Sequence, residues 1–181
     1  ILYTGMSIDT GGLGYNEAQN GRLFAIIGIA GIITQGVLIG PLSKRFGPAK
    51  LLPISCLLCG LGLVLIPYTQ ADWAFAYLFA VVILISVGNG IFQPSSSSLL
   101  TTTAKQSGLN LGIVMGAQES VSSFARIIGP LTGGIVWTLT VSRKWPLDYH
   151  TAFHLCGIMM LLSAILSLKI KTFPDEYLEE S

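Results

Sequence analysis

Charge is what this chain has least of. Asp, Glu, Lys and Arg make up 10% of its 181 residues, against roughly 25% in an ordinary soluble domain. The charges balance to a formal net of +1. Basic residues scattered this thinly offer no extended patch to a phosphate backbone, so nucleic acid is not an expected partner. Cysteine is scarce as well, with three residues. Cys56 and Cys59 form a C-x-x-C, but inside an apolar run with no neighbouring His or Cys to complete a metal set. They are expected to pack as small apolar side chains, with no metal and no cofactor implied. The Ser95 to Ser98 cluster lacks a Gly-x-Ser-x-Gly elbow and an obvious base, so no catalytic residue is assigned and an enzyme is not expected. There is no starting Met, and no charged segment leading into a cleavable apolar core. The expectation is that Ile1 falls inside a longer protein.

What the chain has in quantity is apolar sequence. Hydrophobic residues reach 51% and the mean hydropathy is +0.69. Crossing about 30 Å of hydrocarbon takes roughly 20 apolar residues in a helix, and five runs approach that: 23–42, 51–68, a third from Trp73 through Gln93-Pro94 into the Ser/Thr-rich stretch 95–103, 109–139 and 151–168. The third is expected to kink and fray at Pro94. Residues 1–8 are too short to cross and are expected to be the end of a severed helix. None of the runs has the period-two alternation of a membrane barrel. The fold class is therefore an all-α polytopic membrane protein.

Lys and Arg gather on the cytoplasmic side of membrane helices. Lys44, Arg45, Lys50, Lys105, Lys169 and Lys171 fall on one side of the predicted spans, and Arg22, Arg143 and Lys144 on the other. That bias places the C-terminus in the cytoplasm of a multi-pass protein of the plasma or inner membrane.

Polar content sorts the spans by surroundings. The second and fifth are almost purely apolar and are expected to face lipid at the outside of the bundle. The first holds Thr34 and Gln35, the third Ser86, Asn89 and Gln93, and the fourth Gln118, Glu119 and Arg126, so these three should face protein or water. Ser86, Asn89 and Gln93 share one helical face, which suits either a cavity lining or interhelical hydrogen bonding. Glu119 and Arg126 also share a face but lie roughly 10 Å apart along the axis, too far for a tight pair. A carboxylate there suits a proton carrier or a receptor for a cationic substrate; the alternative for both residues is pairing with neighbouring helices for structure alone. His150 and His154 read as interfacial packing. The fourth span also carries Gly116 and the run Gly129-Pro130-Leu131-Thr132-Gly133-Gly134, small residues that permit close helix contact around a proline.

These segments resemble the second half of a major facilitator superfamily transporter. Gly40-Pro41-Leu42-Ser43-Lys44-Arg45-Phe46-Gly47 is similar to the family's signature loop, commonly Gly-x-Leu-x-Asp-Arg-x-Gly, with Lys44 standing where the strong form has Asp. In that likeness Gly40 allows close helix approach, Arg45 sits at a helix C-terminus and Gly47 takes the turn. Gly116, Gly129, Pro130, Gly133 and Gly134 match the antiporter motif in register, with Ala125 in place of one glycine. The phrase Ser123-Phe124-Ala125-Arg126-Ile127-Ile128-Gly129-Pro130 looks most like the tetracycline and multidrug exporter branch.

The resemblance implies a C-terminal six-helix bundle with its first helix truncated: the tail of the seventh helix and the eighth to twelfth helices over residues 1–172, then a cytoplasmic tail over 173–181. It implies alternating access against an N-terminal six-helix bundle that this chain does not contain. It implies exchange of a proton for a small amphipathic molecule or drug, with Gln35, Asn89, Gln93, Glu119 and Arg126 on the substrate and coupling pathway. The expected partners are that bundle, a small-molecule substrate and the lipid bilayer. Metabolite or sugar uptake on the same fold, or a non-transporting receptor or scaffold, are the competing expectations.

Overall fold

A computed structural model describes residues 2–7, 12–69, 74–141 and 147–169. All regular structure among them is helical. The helices are α1 (Leu2–Gly5), α2 (Glu17–Ile33), α3 (Ile39–Phe46), α4 (Pro48–Leu65), α5 (Ala74–Gln106), α6 (Leu111–Thr140) and α7 (His150–Ser167). A π-helical stretch, Thr34–Leu38, joins α2 to α3 without a break, and a 3₁₀ turn, Ile66–Tyr68, ends the rod begun by α4.

Local chemistry sets the helix ends. Asn16 and Gln19 cap α2 reciprocally, each side-chain oxygen accepting the other's backbone N–H at 2.9 Å. Asn110 caps α6 by accepting from the amides of Gly112 and Ile113. Gly47 separates α3 from α4 at φ 74°, ψ 157°, a backbone region open essentially to glycine alone, and Pro48 follows as the first residue of α4, where its missing N–H costs nothing.

Four segments are long and apolar enough to cross a membrane: Glu17–Phe46, Pro48–Tyr68, Phe75–Gln106 and His150–Ser167. The fourth expected span, 109–139, needs correction on this point. α6 has 30 residues, ample length at 1.5 Å per residue, but Gln118, Glu119 and Arg126 hold its apolarity below that of the other four. The expected fraying at Pro94 is also overturned, since α5 runs unbroken through it to Gln106. Past the proline, the hydroxyls of Thr101, Thr102 and Thr103 donate to the carbonyls one turn back at 2.8–3.0 Å. These bonds keep hydroxyl and carbonyl groups satisfied within the helix.

The centre of the packing is α4, contrary to its expected place at the lipid-facing outside. Leu51, Leu52, Pro53, Ser55, Cys56, Cys59, Gly60 and Gly62 are buried, against α5 on one side and α7 on the other. Small residues cause this closeness. A Cβ placed on Gly88 of α5 would fall 2.7 Å from Cys59 Sγ and 3.0 Å from the Ser55 carbonyl. One placed on Gly157 of α7 would fall 3.0 Å from the Gly60 carbonyl oxygen. Cys56 and Cys59 are buried free thiols, and Cys59 Sγ lies 3.7 Å from the Ile85 carbonyl. Only the opposite edge of α4, through Ile54, Leu57, Leu61 and Leu65, stays exposed. α7 keeps a face of Leu155, Ile158, Met159, Leu162, Ile165 and Leu166 exposed.

A cluster of Tyr3, Leu13, Leu23, Leu78 and Val82 closes the end of the bundle away from Gly47, with Trp137, Tyr149 and Phe153 packed against it. The Tyr3 hydroxyl donates to the Thr69 carbonyl there at 3.3 Å, and the Tyr15 amide donates to the Thr4 carbonyl at 2.7 Å. The expected tail 173–181, together with Arg143, Lys144 and Lys171, lies outside the described residues.

Candidate functional site

Two registers fix the level of each polar residue along the bundle. α2 and α5 run parallel: Leu23 clusters with Leu78 and Val82, and Thr34 meets Gly90, where an added Cβ would lie 2.8 Å from Thr34 Cγ2. Thr34 is fully buried at that crossing, and its hydroxyl donates to the Ala30 carbonyl at 2.7 Å. α5 and α6 run antiparallel, held by the Gln118 amide donating to Ser97 Oγ at 3.4 Å and the Thr101 hydroxyl 3.8 Å from Met115 Sδ. Extended along the axes, these registers bring Gln35 level with Ile91 and Arg126 level with Asn89 and Gly90. Gln35, Asn89, Gln93 and Arg126 thus occupy one layer about 6 Å deep at the middle of their helices. Glu119 stands about 10 Å from Arg126 toward the Gly47 end.

All five of these residues are exposed. Among the described residues none of them forms a side-chain hydrogen bond or ion pair. Ser86 departs from its stripe: it is buried with its hydroxyl unpartnered, on the α5 face that carries Leu78, Val82 and Gly90 toward α2. The interhelical bonding considered for Asn89 and Gln93 is absent among the described residues, whereas Gln118 and Ser97 make such a bond.

The glycines divide in the same way. Gly116, Gly129, Gly133 and Gly134 of the antiporter-like motif have nothing within 4 Å of an added Cβ, and neither has Gly40. The close approach expected of Gly40 and of the α6 glycines is not made to any described residue. It is made instead by Gly60, Gly62, Gly88, Gly90 and Gly157. Pro130 lies inside α6 and has no N–H to offer the Arg126 carbonyl. In the signature-like turn, Lys44 and Arg45 occupy the last turn of α3, where the helix dipole favours cations. The Arg45 guanidinium lies 5.5 Å from the Phe46 ring centroid.

Sequence reasoning missed Thr34 as a packing point, and Gln118 with Ser97 as the clamp between α5 and α6. Gly88 and Gly90 were the available signal, since two glycines one residue apart in an apolar run mark close backbone approach. At the opposite end, His150 Nδ1 lies 3.0 Å from Asp148 Oδ1, and the Tyr68 ring packs on both His150 and His154. A cavity of about 580 Å³ opens nearby, lined by Asn20, Leu23, Val82, Trp137 and Phe153 among others, and it includes none of the five pathway residues.

Membrane-length helices, one polar helix and a basic glycine turn define a multi-pass α-helical membrane protein. The sequence matches the Major Facilitator Superfamily over residues 1–180, and the chain belongs to that family. It is 27% identical over 65% of its length to the class G tetracycline resistance protein of Vibrio anguillarum, covering 28% of that protein. It is 23% identical over 86% of its length to multidrug resistance protein 2 of Bacillus subtilis, covering 35% of it. It is 35% identical over 50% of its length to dipeptide and tripeptide permease A of Erwinia pyrifoliae, covering 18% of it. The chain therefore spans about a third or less of the length of these relatives. No solved structure matches.

Proposed function

We propose that this chain forms the C-terminal wall of a proton-coupled exporter of small amphipathic molecules, working by alternating access. The observation that carries the proposal is the level layer of Gln35, Asn89, Gln93 and Arg126, with Glu119 one step away, all exposed on helices of membrane length. Unpaired polar and charged groups at such depth need protein or water around them. An N-terminal six-helix bundle facing α2 and α6 supplies the second wall, and the open glycines of α6 let it approach closely. Export of amphipathic molecules is favoured by the likeness to proteins named for tetracycline and multidrug resistance. A cytoplasmic C-terminus is favoured by Lys44, Arg45, Lys50, Lys105 and Lys169 sitting at one end of the bundle, with Arg22 at the other.

Glu119 is the proposed proton carrier. The test is tetracycline uptake into everted membrane vesicles carrying the longer protein, driven by an imposed pH gradient. The wild type is expected to accumulate tetracycline in proportion to the gradient, and Glu119→Gln to leave gradient-independent exchange alone. Unaltered gradient dependence in Glu119→Gln would remove Glu119 from coupling. The second reading, uptake of a polar metabolite, draws on the permease likeness. Accumulation of a labelled tripeptide in right-side-out vesicles, with no tetracycline export, would establish it instead.

A further inference from the structure

α4 and α7 touch backbone to backbone at Gly60 and Gly157. Toward the Gly47 end of the pair, beyond that crossing, they leave a groove of about 690 Å³. Its walls are apolar: Ile54 and Leu57 from α4, Leu161, Ile165 and Leu168 from α7. Ile54, Leu57, Ile165 and Leu168 are each exposed. Ser167 adds no polarity there, since its hydroxyl is satisfied by the Ala164 carbonyl at 2.7 Å. Lys50 stands at the mouth, in the first turn of α4, and Lys169 follows Leu168 at the end of α7. Neither ammonium is paired with a described residue.

We propose that this groove is a binding site for one anionic glycerophospholipid of the leaflet on the Gly47 side, its acyl chain along Leu57, Leu161 and Ile165 and its phosphate on Lys50. The lengthwise match is physical. Lys50 and Lys169 mark the polar end of both helices, where headgroups lie, and the groove descends from them alongside residues at hydrocarbon depth. The apolar walls do not by themselves select a lipid, because bulk acyl chains are as apolar as leucine. Selection comes from charge: each lysine near the headgroup plane is worth about a fivefold preference for an anionic over a zwitterionic lipid, from the roughly 1 kcal/mol per basic residue at a membrane surface.

The test uses two reporters at nearly equal depth. Ile165→Trp places an indole in the groove, whereas Leu166→Trp, exposed and outside the groove, places one on the neighbouring face of α7. Each variant of the full chain is reconstituted in phosphatidylcholine vesicles, and quenching by brominated phosphatidylglycerol is compared with quenching by brominated phosphatidylcholine. The expected result is a preference of about fivefold or more for phosphatidylglycerol at position 165, and near parity at position 166. Adding Lys50→Gln to Ile165→Trp is expected to lower the preference about fivefold, while Lys44→Gln, a cation on α3 away from the groove, leaves it unchanged. Equal preference at both positions, or a preference at 165 that Lys50→Gln does not lower, would overturn the site.

Discussion

The contact between α4 and α7 can be tested by a single methyl group. In Gly157→Ala the new Cβ falls 2.5 Å from Val64 Cγ2, 3.0 Å from the Gly60 carbonyl oxygen and 3.2 Å from the Val64 amide nitrogen. The Val64 methyl can turn away, but the other two atoms are backbone of α4. The two helices must therefore separate by a few tenths of an ångström at their tightest point, and overpacking of this kind costs about 1–3 kcal/mol. The same substitution gains about 1 kcal/mol of helix propensity, which would mask part of the loss. Gly116→Ala supplies the correction, because Gly116 is exposed on α6 with open space around it and shows the propensity gain alone. The stability difference between the two variants is then the packing cost, about 1–3 kcal/mol. The assay is reversible unfolding of the chain in mixed micelles by titration with sodium dodecyl sulfate, followed by tryptophan fluorescence. Trp137 reports on the fold through its edge-to-face contact with Phe153. A Gly157→Ala variant as stable as Gly116→Ala would refute the backbone contact between α4 and α7.

Three further outcomes follow from the same geometry. Gly47→Ala forces a side chain into φ 74°, ψ 157° and should cost about 1–3 kcal/mol in the same titration; an unchanged midpoint would contradict that turn. A membrane-permeant maleimide should modify exposed Cys156 and spare buried Cys56 and Cys59, so mass spectrometry of the folded chain should show one adduct rather than three. Burial, and then the charge of Asp148, hold the Tyr149 phenol above its ordinary pKa. The folded state thus favours the neutral phenol, so stability contributed there is complete below about pH 10, the unfolded value, and is lost as pH rises beyond it. Tyr149→Phe should flatten that alkaline decline in an unfolding series from pH 8 to 11.

Helix positions were largely legible in the sequence because hydrophobic run length and turn chemistry are local. Gly47 could be assigned to a turn from its neighbours alone, and the C-x-x-C could be read as apolar packing from what surrounds it. The rank of α4 was not legible. In a lipid solvent the protein interior and the membrane are equally apolar, so hydropathy cannot tell a central helix from a peripheral one. The distinction lay in small residues, Ser55, Cys59 and Gly60 facing Gly88 and Gly157, and Gly62 facing Val81 and Ile85, whose significance depends on which helices meet. Pro94 misled because α5 continues through it to Gln106, with threonines about two turns later keeping their side chains bonded within the helix. The polar layer was half legible: helical spacing grouped Asn89 with Gln93, but levelling them with Gln35 and Arg126 required the contacts of Thr34 with Gly90 and of Gln118 with Ser97. The glycines of α6 were identified by pattern, yet the surface they serve is one that no described helix covers.

The central claim is that the exposed polar layer of α2, α5 and α6 lines a water-filled path in the longer protein. Single cysteines at positions 35, 89, 93 and 126, introduced into that protein with its native cysteines replaced, would be treated in membranes with a charged methanethiosulfonate reagent. The account predicts that all four react, that tetracycline slows their reaction, and that cysteines at the lipid-facing positions 158 and 162 stay unmodified. Reaction at 158 and 162 with none at the four polar positions would contradict it.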